Sequence, residues 1–362
     1  MQIFQDRQAL HRIPELDRYL PETVRYIQSQ LEDLRCAVFS PMEGAVCAFF
    51  DFGQEHTIAF RSGMDGMPIS ENTGLPYTSQ NPGRMHACGH DGHMAILLEL
   101  ARRLNGKKEL NSNVMLVFQP AAQTNGGARD LCATGIFKKH NVKAIFGLCL
   151  WPDLEENVIA SRCEEMMSRA CEVRVDIYGR PAHVAKSEQG LDALNAGVMF
   201  YRRAQAMTGA LPKKVFRLLQ FGKMESGTAG NVISGQTRME GTLRAFQDDV
   251  FYSLRAGLVS IAKEVETATD CTVCVYMNDG DLPVMNPPKL YKKVREMVEF
   301  RELAVPSMVT EDFSWYQKDL PGMFFLLGVG NTSALHSDDF NFNEQVLLTG
   351  ADFFEQLAEK YQ

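Results

Sequence analysis

The sequence predicts an α/β protein: a larger α/β sandwich built on a mixed sheet, with a smaller domain inserted into it. Two observations lead to this prediction. Apolar residues alternate between strand and helix periodicity along most of the chain, which is typical of an α/β sandwich. From about Cys171 onward, the pattern changes to strictly alternating strands around two long helices. The 362 residues, of which 45% are hydrophobic, suffice for more than one core.

The larger domain takes its clearest predicted elements from the first 150 residues. The predicted strands are 45–52, 57–61, 114–118 and 145–150, and the predicted helices are 91–104 and one that begins at 127. Two of these strands are continuous apolar runs, as expected of strands that are buried on both faces of a sheet.

The inserted domain is predicted from a second run of elements. They are a strand near 172–179, a helix over 191–207, a strand pair over 216–232 and 236–246, a helix over 249–269 and a strand over 271–277. This βαββαβ order, in about 100 residues, is that of a ferredoxin-like domain. We therefore assign residues 1–169 and 281–362 to the larger domain and residues 170–280 to the insertion.

Composition excludes several classes of protein. The 37 basic and 45 acidic side chains give a formal net charge of −8 without a basic block, which argues against nucleic-acid binding. Nine scattered cysteines are typical of reduced thiols in a cytoplasmic protein. The first residues lack the apolar segment of a signal peptide, and no apolar run reaches the roughly 18 residues of a membrane span. We expect a cytoplasmic protein that binds neither nucleic acid nor a membrane.

The segment MHACGHDGH at residues 85–93 brings one thiol, three imidazoles and one carboxylate together. Cysteine and neutral histidine are ligands for zinc-like ions, and Cys88 and His90 lie two residues apart, as on a loop. Asp91 or His93 could orient a metal-binding side chain through a hydrogen bond to it. The segment predicts half of a metal site; the alternative is a polar loop with a helix cap and an incidental cysteine. Three other histidines in polar surroundings are expected at the surface: His11, His56 and His140.

Residues 61–98, RSGMDGMPISENTGLPYTSQNPGRMHACGHDGHMAILL, resemble the amidohydrolase branch of the M20 metallopeptidases, which cleave N-acyl amino acids. The resemblance continues through HRIPEL at 11–16, VFQPA at 117–121, IFGL at 145–148, GRPAH at 179–183, GNVI at 230–233, GTLRAF at 241–246, EDFSWY at 311–316 and LHS at 335–337. It implies that the insertion acts as a lid and as a homodimer interface. It also implies one or two divalent metal ions, of zinc, manganese, cobalt or nickel.

The resemblance implies five metal ligands, and this chain departs from the pattern at two of them. Three are present: Cys88, His90 and His336. Gln123 stands where the second glutamate of a pair is expected, and Cys149 where a histidine is expected. Ala122 replaces the first glutamate, the family's general base, whose proton transfers typically contribute about 10²–10⁴-fold in rate. Gly63 also stands where an aspartate is usual.

These departures leave several interpretations of the site open. The remaining donors could form a closed Cys2His2 set, which is typical of a structural zinc: Cys88, His90, Cys149 and His336. Cys149 could instead be a small buried hydrophobic residue at the end of a strand. Glu311 or Asp91 could supply the missing base, if either carboxylate is placed accurately enough.

Within the insertion, the resemblance assigns ligand-binding roles to His183, Asn231 and Arg244. A guanidinium fork suits a carboxylate, an amide can donate or accept a hydrogen bond, and an imidazole can donate to an oxyanion. Each residue also has an ordinary interpretation in a loop, a turn or a solvated strand. Near the metal segment, Asp65 is expected to orient a metal-bound histidine, and Asp65 and His183 are the residues to which the resemblance gives catalytic roles.

Two functions follow as hypotheses. The first is a metal-dependent amidohydrolase that acts on N-acyl amino acids or small peptides, with Ala122 as its weak point. The second is a non-catalytic relative that binds an acyl amino acid or an amino acid between the two domains.

Overall fold

The computed structural model describes residues 1–124 and 126–362, which group into two compact units. Unit 1 comprises Met1–Met166, Val284–Pro306 and Glu311–Gln362, and unit 2 comprises Met167–Pro283 and Ser307–Thr310. The boundaries lie a few residues from those that the sequence predicts.

One short segment, Ser307–Thr310, belongs to unit 2, although the sequence analysis assigns it to the larger domain. The reason is a set of hydrogen bonds to the start of unit 2. The backbone amide of Ser168 donates to the carbonyls of Ser307 and Val309, each at 3.1 Å. The Ser168 hydroxyl donates to the carbonyl of Met308 at 2.8 Å.

The described residues form strands and helices in alternation. The strands are β1 (Ala37–Phe39), β2 (Val46–Phe50), β3 (Thr57–Gly63), β4 (Asn113–Gln119), β5 (Val142–Trp151), β6 (Ile159–Ser161), β7 (Glu164–Met167), β8 (Arg169–Tyr178), β9 (Arg217–Ser226), β10 (Gln236–Ala245), β11 (Thr272–Met277), β12 (Val284–Asn286), β13 (Arg301–Glu302) and β14 (Gly322–Gly328). The helices are α1 (Gln2–His11), α2 (Pro21–Leu31), α3 (His90–Asn105), α4 (Gly127–Ala133), α5 (Ile136–Lys139), α6 (Ala193–Gly209), α7 (Asp248–Thr269), α8 (Pro288–Met297), α9 (Ser314–Asp319) and α10 (Val346–Lys360), with a 3-10 helix over Val184–Gln189. Each helix in residues 1–124 and 126–362 is too short or too polar to cross a bilayer.

Unit 1 is built on a mixed sheet with the strand order β1-β2-β4-β3-β5-β14-β6-β13. The central strands β4, β3, β5 and β14 run parallel to one another, whereas β2 and β6 are antiparallel to the central strands that they join. Every residue of β3, β4 and β14 is buried, as expected of central strands that are covered on both faces. The predicted mixed-sheet α/β fold is confirmed.

The parallel strands bring three chain segments to one edge of this sheet. Gly63 at the end of β3 lies opposite Gln119 at the end of β4, and the end of β5 lies beside β3. The segments that follow these strands therefore emerge at a common carboxyl edge, where ligands bind in open α/β sheets. Helix α3 begins at the same edge and packs against α1 and α10.

Unit 2 is an antiparallel sheet with the order β11-β8-β10-β9, covered by α6 and α7. Burial alternates along much of β8, as the sequence pattern predicts for a strand with one covered face. The predicted βαββαβ order is confirmed. Strand β9 ends at Ser226 and not at 232, because Gly227 turns the chain with a φ of 72°.

Candidate functional site

A tight turn at Gly89 presents Cys88 and His90 at the carboxyl edge of the sheet. Gly89 has a φ of 76°, and helix α3 begins directly after it. A Cβ at this position would lie 2.9 Å from Cδ1 of Leu150, near the end of β5. The left-handed backbone conformation therefore favours glycine here, and a Cβ would in addition crowd the Leu150 side chain.

The structure brings four of the five candidate ligands into one cluster. The Cys88 thiol lies within hydrogen-bonding reach of Cys149, His336 and His90. Hydrogen bonds with these three residues outweigh burial and hold the pKa of Cys88 well below its ordinary value. The same contact with Cys88 raises the pKa of Cys149. Within the pair, deprotonation is therefore favoured at Cys88 over Cys149.

The fifth candidate, Gln123, adjoins the cluster through His90. The side-chain nitrogen Nε2 of Gln123 lies 3.3 Å from Nε2 of His90. The backbone amides of Ala122 and Gln123 each donate to the carboxylate of Asp65 at 2.9 Å. The segment is thereby fixed next to His90, but its two side chains are a methyl group and a neutral amide.

Asp65 contacts His90 chiefly through its backbone. The Nδ1 atom of His90 lies 2.7 Å from the carbonyl oxygen of Asp65 and 3.6 Å from its carboxylate. Burial opposes the charging of His90, but the contacts with Asp65 and Cys88 outweigh it and raise the pKa of the imidazole well above its ordinary value. The carbonyl of Asp65 thus orients the ring, while its carboxylate holds the 122–123 backbone.

The ring of His90 occupies the space that a side chain at position 63 would need. A Cβ built on Gly63 would lie 2.6 Å from Cε1 of His90. Real Cβ atoms essentially never approach that closely. An aspartate at position 63 is therefore incompatible with this position of the His90 ring. The absence of a side chain at Gly63 is what allows the ring to lie here.

His93 supports the cluster from the side of β5. Its Nε2 atom accepts a hydrogen bond from the backbone amide of Leu150 at 2.9 Å. Burial lowers the pKa of His93 to about 3, so the ring is neutral and able to accept. Because Leu150 follows Cys149, His93 helps to position that thiol.

Two residues with positive φ lie at the site. Ala121 has a φ of 53° and His336 a φ of 68°. Backbone hydrogen bonds hold both of them: Ala121 N donates to Asp17 O at 2.9 Å, and His336 N donates to Ala87 O at 2.8 Å. Such conformations cost non-glycine residues about 1–3 kcal/mol and are concentrated at functional sites.

Glu311, one of the two carboxylates considered as a substitute base, belongs to a buried ion-pair network. Arg61 at the end of β3 contacts Glu311 at 3.0 Å and Asp312 at 2.5 Å. Gln119 links the network, since it accepts from Arg61 at 2.6 Å and donates to Asp312 at 2.6 Å. Proton transfer to Glu311 would therefore require a buried ion pair to break.

Asp91, the other candidate base, is held by a second network. Its Oδ2 atom contacts Arg7 at 3.3 Å and His11 at 2.7 Å. His11 also contacts Glu71 at 3.1 Å through its other ring nitrogen. His11 is 1% exposed, so the prediction that it lies at the surface is wrong. His56 is exposed and His140 is half-buried.

The residues of the Cys88 cluster do not fit the two-metal centre that the resemblance implies. Within the described part of the chain, no group of three or more histidine, cysteine, aspartate or glutamate side chains is arranged to hold a metal ion. The positions of the two expected glutamates supply no carboxylate, which hard and borderline dications would need for charge compensation.

The three ligand-binding candidates of unit 2 do not meet at one place. His183 and Asn231 are exposed on adjoining segments, since the amide of Val184 donates to the carbonyl of Asn231 at 3.2 Å. These segments lie at the Gln236 end of β10, because Gly235 packs on Pro181. Arg244 lies at the other end of the same strand, roughly 27 Å away at about 3.4 Å per residue. The predicted strand over 236–246 already implied that Arg244 lies far from residue 236.

Arg244 is half-buried beside neutral partners. Its Nη1 atom donates to the carbonyl of Met308 at 2.6 Å, and its Nε lies 3.5 Å from the Thr242 hydroxyl. Burial lowers the pKa of the guanidinium. A carboxylate ligand would supply the negative charge that these partners lack.

Comparisons with known proteins agree over almost the whole chain. The family model of peptidase family M20/M25/M40 matches residues 59–360. An uncharacterised hydrolase of Staphylococcus saprophyticus is 32% identical over 99% of this chain and 97% of its own, and one of Staphylococcus epidermidis is 33% identical over 98% and 97%.

Solved structures give the same result. A putative aminohydrolase from methicillin-resistant Staphylococcus aureus has a TM-score of 0.88 at 25% identity, covering 99% of this chain and 96% of that one. The Bacillus subtilis YxeP protein, a dinuclear metal-binding peptidase of the M20 family, has a TM-score of 0.85 at 28% identity, with the same coverage. The chain therefore belongs to peptidase family M20/M25/M40, a family of hydrolases.

Proposed function

We propose that the chain is an amidohydrolase-type protein for N-acyl amino acids or small peptides whose own amide hydrolysis is slow. The observation that carries the proposal is the pair Ala122 and Gln123, where the resemblance implies two glutamates. Asp65 fixes the backbone of this pair, so the segment has a defined place beside His90 but offers no carboxylate. Neither side chain can take a proton from water and pass it to a leaving amine.

The nearby carboxylates do not replace the missing base. Glu311 is paired with Arg61, and Asp91 with Arg7 and His11. Each would have to leave a buried ion pair before it could accept a proton, which adds several kcal/mol to the barrier. Slow hydrolysis is the expected consequence.

A second candidate function is ligand binding without hydrolysis. It is favoured by the surroundings of Arg244, which donates to the Met308 carbonyl and lies beside the Thr242 hydroxyl. A half-buried guanidinium beside neutral groups suits the carboxylate of an amino acid whether or not an amide bond is cleaved. This candidate predicts binding that persists when hydrolysis is undetectable.

We propose fewer than two bound divalent ions per chain. The Bacillus subtilis YxeP protein is a dinuclear metal-binding peptidase. In this chain the cluster offers two thiols, two imidazoles and one amide, which is a donor set for zinc, manganese, cobalt or nickel but lacks the carboxylate charge that two adjacent dications require.

We also propose that the chain forms a homodimer through unit 2. His183 and Asn231 lie near the Gln236 end of β10, and Arg244 lies at its other end. All three could therefore contact a single small ligand only if a second copy of the chain contributed some of them. Exposed apolar residues at helical spacing on α6 provide a surface for such a contact: Leu194, Val198 and Tyr201. Analytical ultracentrifugation of the wild type and of Val198→Lys tests this, with a monomeric wild type as the contradicting result.

The central experiment restores the two carboxylates. The double variant Ala122→Glu/Gln123→Glu and the wild type are compared on a panel of N-acyl amino acids with added zinc or manganese. We expect kcat/KM to rise at least about 100-fold in the variant, because a general base and a charged ligand are supplied at a fixed position. A matched control, Gln28→Glu/Ala210→Glu, makes the same change at two exposed positions and should leave the rate unchanged.

The outcomes separate the two candidate functions. A wild type that is as fast as the double variant contradicts slow hydrolysis. Binding of N-acyl amino acids by both proteins, with hydrolysis by neither, supports the non-catalytic binding protein.

The carboxylate contact is tested by calorimetry with an N-acyl amino acid and its uncharged amide. Arg244→Ala should weaken binding of the acid by about 10-fold or more, since hydrogen bonds to charged groups contribute about 1.5–3 kcal/mol. Binding of the amide should change little. Arg238→Ala, which removes another arginine from β10, is the control. Equal losses for acid and amide would rule the contact out.

A further inference from the structure

Ser168, directly before β8, binds three consecutive carbonyl groups of the segment Ser307–Thr310. Its backbone amide donates to the carbonyls of Ser307 and Val309, each at 3.1 Å, and its hydroxyl donates to the carbonyl of Met308 at 2.8 Å. The Ser307 hydroxyl accepts from the amide of Val309 at 3.2 Å. The segment therefore turns around Ser168, which fixes the Met308 carbonyl in its middle.

The Met308 carbonyl also accepts from Arg244. The Nη1 atom of Arg244 lies 2.6 Å from the Met308 oxygen. A carbonyl oxygen has two lone pairs, and the Ser168 hydroxyl and the guanidinium together occupy both. Ser168 is fully buried, so water does not compete for its hydroxyl. Arg244 is thus held by a carbonyl group that Ser168 holds in turn.

The strand register supports this arrangement. Arg244 of β10 lies opposite Ala170 of β8, and Ala170 is two residues after Ser168. Ser168 and Arg244 therefore approach the Met308 carbonyl from neighbouring positions on paired strands. The Thr242 hydroxyl is more distant, at 3.5 Å from Nε of Arg244. The Met308 carbonyl is therefore the stronger of these two contacts of the guanidinium.

We propose that Ser168 is a positioning residue for Arg244: through the Met308 carbonyl, it holds the guanidinium in the orientation that binds a ligand carboxylate. An arginine side chain loses much rotamer freedom when it is fixed. A guanidinium that is already held in place loses less of this freedom when a ligand binds, and the ligand binds more tightly as a result. The inference rests on the proposed function, because it takes Arg244 as the group that binds the carboxylate.

The test measures the acid preference of the full chain by calorimetry. This quantity is the dissociation constant of an N-acyl amino acid amide divided by that of the corresponding acid. Ser168→Ala should lower the acid preference about 3- to 10-fold, as expected for the loss of one hydrogen bond, and should change binding of the amide little. If this variant fails to fold, Ser168→Cys replaces it. The thiol is a weaker donor than the hydroxyl, so the acid preference should again fall, but by a smaller factor.

Ser161→Ala is the matched control. Ser161 is also fully buried, and its hydroxyl donates to the carbonyl of Phe324 at 2.7 Å in unit 1. Both variants remove a buried bond from a hydroxyl to a carbonyl, and urea unfolding measures what each removal costs. Only Ser168→Ala should change the acid preference. A purely structural role of Ser168 would give a loss of stability without a loss of acid preference.

The background of Arg244→Ala separates the failure of this inference from that of the proposed function. In that background Ser168→Ala should have no further effect on the acid preference, because the group that it positions is absent. If Arg244→Ala abolishes the acid preference and a folded Ser168→Ala keeps it, the inference is overturned and the proposed carboxylate contact stands. A wild type without acid preference, or an Arg244→Ala variant that retains it, would overturn the carboxylate contact and the role of Ser168 with it.

Discussion

Two buried polar clusters of unit 1 lie next to each other on α3 but are built differently. The Arg7 cluster pairs each cation with a carboxylate: Arg7, His11, Glu71, Asp91 and Glu344. The Cys88 cluster has no carboxylate side chain among its members: Cys88, His90, Gln123, Cys149 and His336. Asp91 of the first follows His90 of the second directly in the sequence.

From this difference we expect the fold to depend more on the Arg7 cluster than on the Cys88 cluster. Removing one partner of a buried ion pair leaves an uncompensated charge, which costs about 3–5 kcal/mol. The Cys88 cluster contains no guanidinium–carboxylate pair, so the loss of one thiol or of the amide does not leave a permanently charged partner behind. We therefore expect the fold to tolerate a substitution in the Cys88 cluster better than the loss of Asp91 from the Arg7 cluster.

The largest expected effect follows from removing one residue of each cluster. Asp91→Ala should lower the free energy of unfolding by about 3–5 kcal/mol, because Arg7 and His11 lose a shared partner. Cys149→Ala should cost about 1 kcal/mol, as expected for loss of a small buried group. Urea unfolding of both variants measures this, with exposed Asp33→Ala as a control. Equal costs for Asp91→Ala and Cys149→Ala would remove the distinction between the clusters.

The second prediction concerns the pH dependence of the Arg7 cluster. Burial opposes protonation of His11, but Asp91 and Glu71 outweigh it and raise its pKa from the ordinary 6.5 to about 9. The folded state therefore binds this proton more tightly than the unfolded state does. The resulting stabilisation, at most about 3 kcal/mol, is fully present below pH 6.5 and is lost as the pH rises through about 9.

This pH dependence is measured as the free energy of unfolding from about pH 6 to pH 10. The wild type should lose stability over that range, and His11→Gln should lose less because the titrating group is gone. The difference between the two proteins isolates His11 from the titration of the thiols. Parallel pH profiles for the wild type and His11→Gln would show that His11 does not carry the effect.

The smallest effect tests the packing of His90 on Gly63. Gly63→Ala places a Cβ 2.6 Å from the ring and should cost about 1–3 kcal/mol, as overpacking typically does. In the background of His90→Ala, the same substitution should cost much less, because the ring is absent. Gly106→Ala is the control, since its Cβ would meet its nearest neighbour at an ordinary 3.6 Å. An undiminished cost in the His90→Ala background would refute the coupling.

Local pattern explains why much of the fold could be predicted from the sequence. Helix α7 and strand β8 have periodicities that their burial reproduces, and β4 is an apolar run that is buried throughout. The candidate ligands came from the resemblance and from the spacing in residues 85–93. Four of them meet because the turn at Gly89 and the end of β5 lie at one edge of the sheet.

The remaining features depend on contacts between distant positions. His11 is 80 residues from Asp91 and 60 residues from Glu71 in the sequence, so nothing in its neighbours signals burial. The mutual fit of Gly63 and His90 and the contact of Cys88 with Cys149 likewise depend on where separate segments meet. Such contacts become visible only when the sheet is assembled.

The most direct test of the central claim is the metal content per chain, measured by elemental analysis after purification without chelator or nickel resin and again after loading with zinc or manganese. The wild type is compared with Ala122→Glu/Gln123→Glu/Cys149→His, which restores the donors that the resemblance implies. We predict fewer than two equivalents for the wild type and two for the triple variant. Two equivalents in the wild type, bound as tightly as in the variant, would contradict the claim that its site has lost the carboxylates of a two-metal centre.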